Sequence, residues 1–540
     1  MLNPLRRAAA AATALLLGLL PLGHAPAAAD SPISADRLAA VDAYVDDRME
    51  ATRTPGLSYA VVGPDGLIHA RARGTDGYGE PVTIETPFLW GSVAKPIVAS
   101  AVMTLVQDGR LRLDDPVLDH VPGFRLGGSG HASRVTVRHL LQHTAGLPES
   151  ATFEVADCVD ADCPGAVERI AELDDVHPLG PPGATYAYSS ANYLVLAAVV
   201  ESATGRPFAD HLRDSVLRPA GMDGAIADRA SARERNLPPG HQLLWGIPSA
   251  IADGVDDDGA AYGYTGGDLN DLAAFASLQL RSGRTGNGTT ILTPESVRLM
   301  RQSGRLHPSG ADTGYGLGWR VGGLEAPLDS AIWHTGATPG YSAMLFLLPK
   351  QNIALVLQQN LHGLLHDGAV MEVGFGAARI LAGGTAPNAL SAATYHATVW
   401  GLTALALALL AGTIHSACLL RRRPMPRRVV PTVLWCLAGA LPWIVMAAAL
   451  ILVGSRALWT WTPDAFIALC TATAAGTAII ALRLTAAYVG REGARRPASA
   501  GREALEWSWI RTGSVRRWAG FPLRRATSGH PAVDPGDRVR

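Results

Sequence analysis

Three apolar runs follow one another late in the chain, at residues 399–420, 429–453 and 465–489. Each is close to the ~20 residues an α-helix needs to cross a hydrocarbon layer. In lipid a backbone must satisfy its own hydrogen bonds, so these runs predict three membrane-spanning helices. The linker between the first two reads RRRPMPRR, that between the second and third reads GSRALWTWTPD, and the third run leads into an arginine-rich tail. Arginine clusters mark the cytoplasmic side, which leaves everything before the first span outside. Trp459 and Trp461, in the outer loop, suit an interfacial belt. His415 and Arg483 are the strongly polar side chains within the runs, and Arg483, near an end, is expected to snorkel.

The first residues support the same orientation. Arg6 and Arg7 precede an apolar stretch too short to span comfortably, followed by the small residues APAAAD. That pattern predicts a cleaved signal peptide over residues 1–29. The rest divides into an exported domain at 30–385, a linker at 386–398 that carries Pro387 just after Gly383 and Gly384, the three spans at 399–489 and a basic cytoplasmic tail at 490–540. A formal net charge of −1 offers no footing for nucleic acid. Of the five cysteines, Cys158 and Cys163 lie in the turn-rich stretch DCVDADCPG and are expected to pair outside the cytosol. Cys418, Cys436 and Cys470 fall in the apolar runs and are read as small hydrophobes.

Within the exported domain, GLSYAVVGPDGLIHARARG gives two strand-like runs across a Pro64-Asp65-Gly66 turn. YSAMLFLLPKQNIALVLQQN repeats the signal across Lys350-Gln351-Asn352. Between these ends lie helical patterns, including residues 96–107 and 193–200. Terminal hairpins around a helical middle predict an α+β domain with an antiparallel sheet.

Of the 46 lysines and arginines, lysine occurs only at Lys95 and Lys350. Lys95 follows Ser92 by three positions at the start of the 96–107 helix, so the two side chains share one face. A serine hydroxyl needs a base to become a nucleophile, and a buried amine can lose its proton where a guanidinium cannot. The plain alternative is a helix-capping serine and a solvated first-turn lysine, and Ser-x-x-Lys alone does not decide between them.

Other stretches do. PPGATYAYSSANYLVLAAVV carries Tyr188 and Ser190 just before a second helix, and IWHTGATPGYSAMLFLLP carries His334-Thr335-Gly336 on a strand before the last hairpin. Together with VTVRHLLQHTAGLP and GYGLGW, this ordered set resembles the serine β-lactamase and penicillin-binding-protein superfamily, particularly its class C-like hydrolases. The resemblance implies a β-lactamase/DD-peptidase-like fold. It implies Ser92 as acylated nucleophile, Lys95 as its activating partner and Tyr188 as proton shuttle. The N–H groups of Ser92 and Ala337 would form the oxyanion hole, with Ser190, His334, Thr335 and Gly336 against the substrate. No cofactor or metal is called for: His139 and His143 have zinc-like spacing but no accompanying glutamate base.

Two departures bear on the substrate. Ser190 stands where many members have asparagine, and His334 stands where penicillin-recognising members have lysine. Loss of that fixed cation weakens the case for a substrate with a free carboxylate. An exported domain of this kind followed by three spans looks like the peptidases that remove an N-acyl leader from nonribosomal-peptide prodrugs. The expected partners are therefore an acylated peptide, or a small amide or ester, and membrane lipid. A cell-wall D-peptidase, a β-lactamase, an esterase and a non-catalytic penicillin-binding sensor are the rivals. The acidic stretch DGVDDDG at 253–259 is read as a solvated loop, and Tyr315 and Trp319 as core and cleft-wall aromatics.

Overall fold

The structure, a computed structural model, describes residues 33–127, 129–160, 162–302, 313–387, 392–421 and 429–495. The expected signal peptide, most of the tail and part of the linker lie outside these residues.

The strands, in chain order, are β1 (Gly56–Gly63), β2 (Gly66–Gly74), β3 (Phe88–Leu89), β4 (Gly240–Leu244), β5 (Ile247–Ala252), β6 (Gly266–Gly267), β7 (Thr313–Tyr315), β8 (Arg320–Gly322), β9 (Ile332–Thr338), β10 (Tyr341–Leu348) and β11 (Ile353–Gln359). Seven form one sheet in the order β2-β1-β11-β10-β9-β8-β7, antiparallel throughout. Both predicted hairpins are present, and the chain's first and last hairpins meet where β1 pairs with β11. The continuous apolar character of β1, β10 and β11 follows from burial on both faces. Leu57, Tyr59 and Val61 of β1 pack with Met344, Phe346 and Leu355 on one side, under α1 (Ala35–Thr52) and the late helix Asp367–Leu381. Ala60, Val62, Leu345 and Val356 face the other way, into the larger helical core.

That core contains α2 (Ala94–Gln107), α3 (Ala191–Thr204) and α4 (Leu269–Leu280). Helix α3 is apolar all round, with Ala191 through Val200 buried without interruption, as befits a helix inside the domain. The acidic stretch departs from expectation. Asp256 is 1% exposed and forms a two-pronged ion pair with the equally buried Arg169, at 2.7 and 3.0 Å. A carboxylate that meets a guanidinium fork and the Cys158 N–H can be buried where an unpaired one could not.

With α5 denoting Asp367–Leu381, the chain continues into α6 (Ala393–Arg421), α7 (Val429–Leu452), the short α8 (Ser455–Trp461) and α9 (Pro463–Arg495). Helices α6, α7 and α9 are long and apolar enough to cross a membrane. Helix α6 starts six residues earlier than hydropathy places it, because its first turns are held against the β4–β5 hairpin, where the Gly246 N–H donates to the Tyr395 hydroxyl. Gly439 and Gly476 let α7 and α9 approach so closely that a Cβ on either would strike the other's carbonyl. Arg483 does not snorkel: it is buried, with Nε donating to Ser416 Oγ at 2.9 Å.

Candidate active site

Ser92 sits in a 3-10 turn, Gly91–Val93, that runs directly into α2. The turn is pressed against β9 so tightly that two glycines are required. A Cβ on Gly91 would lie 2.1 Å from the Ala337 nitrogen, and one on Gly336 would lie 2.5 Å from the Ser92 nitrogen. Gly91 also has φ +54°, a conformation that side chains disfavour. This contact brings the Ser92 and Ala337 backbones together, as an oxyanion hole requires.

One helical turn on, Lys95 is fully buried, with Nζ 2.9 Å from Ser92 Oγ, 3.3 Å from Ser190 Oγ and 2.7 Å from the Tyr262 carbonyl oxygen. As an ammonium it would donate to all three. As an amine it would give two N–H bonds, to the Tyr262 carbonyl and Ser190, and accept the Ser92 hydroxyl proton on its lone pair. Only the Ser92 bond reverses between the two states. Burial, followed by the nearby Arg320 charge, holds the Lys95 pKa well below the ordinary lysine value, which favours the amine.

Tyr188 flanks the pair from the other side. Its ring centroid is 5.0 Å from Lys95 Nζ, and its hydroxyl is buried without a hydrogen bond of normal geometry. Burial raises its pKa above the usual phenol value, against the opposing pull of Arg320 and the adjacent Ser92 hydroxyl. Desolvation thus drives both groups toward their neutral forms. Beneath Tyr188 lies His143, buried, with ring centroids 4.3 Å apart. His143 Nδ1 accepts the Ser189 N–H at 3.2 Å, whereas His139 caps the short helix Val137–Leu141 through the Thr136 N–H. The two histidines therefore have separate structural tasks, and His143, with φ +56°, stands beyond that helix.

Ser92, Tyr188, Ser190, Thr335, Gly336 and Ala337 line one cavity of about 330 Å³. His334 lies behind it. Its Nδ1 is 2.6 Å from the Thr335 carbonyl, which can only accept, so the proton belongs on Nδ1 and Nε2 accepts from the Tyr315 hydroxyl at 3.0 Å. Burial, with Arg320 and Lys95 adding to it, pushes the His334 pKa well below its ordinary value. Strand β8 pairs with β9 only at Arg320–Trp333 and Val321–Ile332. From His334 to Thr338, β9 has no partner strand on that side among the described residues, which leaves an edge beside the cavity.

Sequence reasoning missed Arg320. It enters the cavity from β8, its guanidinium carbon 5.1 Å from the Tyr188 ring centroid and 5.3 Å from that of Trp333, with no ion-pair partner among the described residues. The fixed cation absent at His334 is thus supplied from the neighbouring strand. An arginine in an otherwise apolar strand next to GYGLGW was the available signal. Asp157, on the cavity wall, adjoins the expected disulfide: Cys158 and Cys163 are bonded, with Cα atoms 5.8 Å apart.

Comparison with known proteins agrees with this geometry. A family model described as Beta-lactamase matches residues 41–373. The chain is 31% identical over 333 residues to Penicillin-binding protein 4 of Amycolatopsis lactamdurans, covering 59% of this chain and 85% of that protein. It is 24% identical over 331 residues to Protein flp of Staphylococcus aureus strain MW2, covering 60% of this chain and 63% of that one. Among solved structures, the octameric penicillin-binding protein homologue from Pyrococcus abyssi superimposes with TM-score 0.55 at 22% identity, over 64% of this chain and 78% of the other. SurE gives TM-score 0.52 at 27% identity, over 66% and 78%. With Ser92 and Tyr188 on one cavity, Lys95 buried 2.9 Å behind the serine, and the family model spanning its sheet and helical core, the chain belongs to the beta-lactamase family of serine hydrolases.

Proposed function

We propose that this protein is a membrane-anchored hydrolase that cleaves an amide or ester outside the cytoplasm through an acyl-enzyme on Ser92. The observation that carries the reading is Lys95: buried, 2.9 Å from Ser92 Oγ, and bonded so that only its link to the serine need reverse. Neutral Lys95 takes the Ser92 proton as Oγ attacks the substrate carbonyl. The N–H groups of Ser92 and Ala337 stabilise the oxyanion. Tyr188, a phenol held in its protonated form, relays a proton to the departing amine or alkoxide, and a water molecule then releases the acyl group. His334 acts from behind, fixing Tyr315 and the strand edge along which an extended substrate would lie.

Within this class we favour a peptidase that removes an N-acyl leader from an exported nonribosomal-peptide product. Three long apolar helices after the hydrolase domain and Ser190 in place of asparagine support that choice. An acylated substrate concentrates in the bilayer that the helices would occupy. Arg320 favours a second reading, a D-peptidase acting on a free carboxylate, because a guanidinium without an ion-pair partner in the cleft suits such a group.

Intact mass after incubation with a fluorophosphonate, a penicillin and an N-acyl-D-Asn peptide separates these readings. Wild type is expected to take up the fluorophosphonate and Ser92→Ala is not; failure of wild type to react with any of the three overturns the hydrolase assignment. Turnover of the acyl peptide without penicillin adducts supports the leader peptidase. Penicillin acylation abolished by Arg320→Gln supports the D-peptidase.

A further inference from the structure

The cavity that holds Ser92 does not end within the hydrolase domain. Trp461, from α8 between the second and third long helices, forms part of its wall together with Phe153, Leu364 and Met371. The sequence places Trp461 in a lipid-facing belt, yet only Trp459 is exposed, at 59%. Trp461 instead points into the protein. Its Nε1 donates to Asp157 Oδ2 at 2.8 Å, and its ring meets His362 edge-on at 5.5 Å. Asp157 is itself held, its Oδ1 accepting from the Tyr264 hydroxyl at 2.9 Å and its N–H donating to the Tyr262 hydroxyl at 2.9 Å. Tyr262 is the residue whose carbonyl accepts from Lys95. Trp461 is therefore built into the same wall as the reacting groups.

The cavity lining mixes two chemistries. Ser92, Ser190, Arg320 and Thr335 bring polar groups and Phe153, Leu364, Met371 and Trp461 bring apolar ones, with the bonded pair His362–Asp367 (2.9 Å) also on the wall and the His362 ring against Trp461. Leu364, also on the cavity wall, is 46% exposed. Trp461 lies between the end of α7 at Leu452 and the start of α9 at Pro463, at the hydrolase end of the long helices and so at the bilayer surface if those helices span it.

We infer that the membrane segment completes the substrate site: Trp461 and its apolar neighbours form a subsite for a hydrocarbon chain on the acyl side of the scissile bond, reached from the membrane surface. This rests on the hydrolase reading and adds to it a specificity-determining residue outside the family domain. A chain emerging from the bilayer would thread past Leu364 and Trp461 and present its carbonyl to Ser92. Each methylene removed from water there should improve kcat/KM roughly fourfold until the apolar wall is filled.

The test uses the full chain in nanodiscs with p-nitrophenyl acetate, hexanoate and decanoate. Wild type should show kcat/KM rising at least tenfold from acetate to decanoate, mainly through KM. Trp461→Ala should remove most of that rise. Trp461→Phe, which keeps the apolar wall but loses the bond to Asp157, should retain it, and Trp459→Ala should give the wild-type profile. A flat wild-type profile overturns the inference, as does a Trp461→Ala variant that lowers all three esters equally, since a merely structural tryptophan would act in that way. If none of the esters acylates Ser92 by intact mass, the hydrolase reading fails first and this subsite falls with it.

Discussion

Lys95 is held by contacts that arginine could not reproduce. Its three acceptors lie around one nitrogen in a pocket with no exposure, and the bond to Ser92 has to reverse for the serine to lose its proton. Lys95→Arg should therefore lower the rate of Ser92 acylation by about a hundredfold or more, in the range of a lost general base, with little change in fold. The pH profile carries the sign of the argument. If neutral Lys95 is the base, as proposed, its depressed pKa makes acylation rise as pH climbs through that lowered value and level off below the ordinary lysine range. The raised Tyr188 pKa keeps the opposite limb, loss of the phenolic proton, at still more alkaline pH. Stopped-flow phosphonylation of Ser92 by a fluorophosphonate, with loss of fluoride, followed across pH would report the same serine activation; a profile rising only near pH 10 would mean that Lys95 is not desolvated in solution.

At the scale of elements, the junction between the Ser92 turn and β9 does the positioning. A methyl on Gly336 would lie 2.1 Å from the Trp90 oxygen and 2.5 Å from the Ser92 nitrogen, both backbone atoms that cannot swing aside. Gly336→Ala should lower stability by about 1–3 kcal/mol, as overpacking does, and also slow acylation if the Ser92 and Ala337 N–H groups it would push apart are the oxyanion donors proposed. Thermal unfolding and acylation rate measured on one preparation would separate the effects; an unchanged rate would place the oxyanion hole elsewhere. The elements differ in how readily sequence reveals them. Ser92 and Lys95 share one helical turn and Tyr188 precedes an uninterrupted apolar helix, but it is the ordered set of motifs and the family it resembles, rather than local spacing, that singles them out. The hairpins announce themselves through turn residues between apolar runs. Arg320 reaches the site only because β8 pairs with β9 in the register Arg320–Trp333. Asp256 is buried only because Arg169, far away in sequence, comes to meet it. Neither non-local pairing leaves a periodic trace in the chain.

For the whole molecule, the question is what holds the long helices against the hydrolase domain, because Trp461 can line the cleft only if that contact is kept. Asp464, at the start of α9, is 2% exposed and accepts from the Trp245 N–H at 3.0 Å and the Tyr395 hydroxyl at 2.7 Å. Tyr395, from α6, in turn accepts the Gly246 N–H at 2.8 Å. One carboxylate thus ties the β4–β5 hairpin to two of the long helices. Asp464→Ala would leave the Trp245 N–H unpaired and remove one partner of Tyr395, costing about 1–3 kcal/mol for an unmet buried donor. The variant should unfold at lower temperature in detergent, and its preference for p-nitrophenyl decanoate over acetate should fall as α8 loosens. Labelling of Ser92 by a small fluorophosphonate should persist, because Lys95, Tyr188 and the β9 edge all belong to the hydrolase domain. Loss of labelling together with chain-length preference would instead mean that the membrane segment holds the catalytic lysine in place through Trp461, Asp157 and Tyr262.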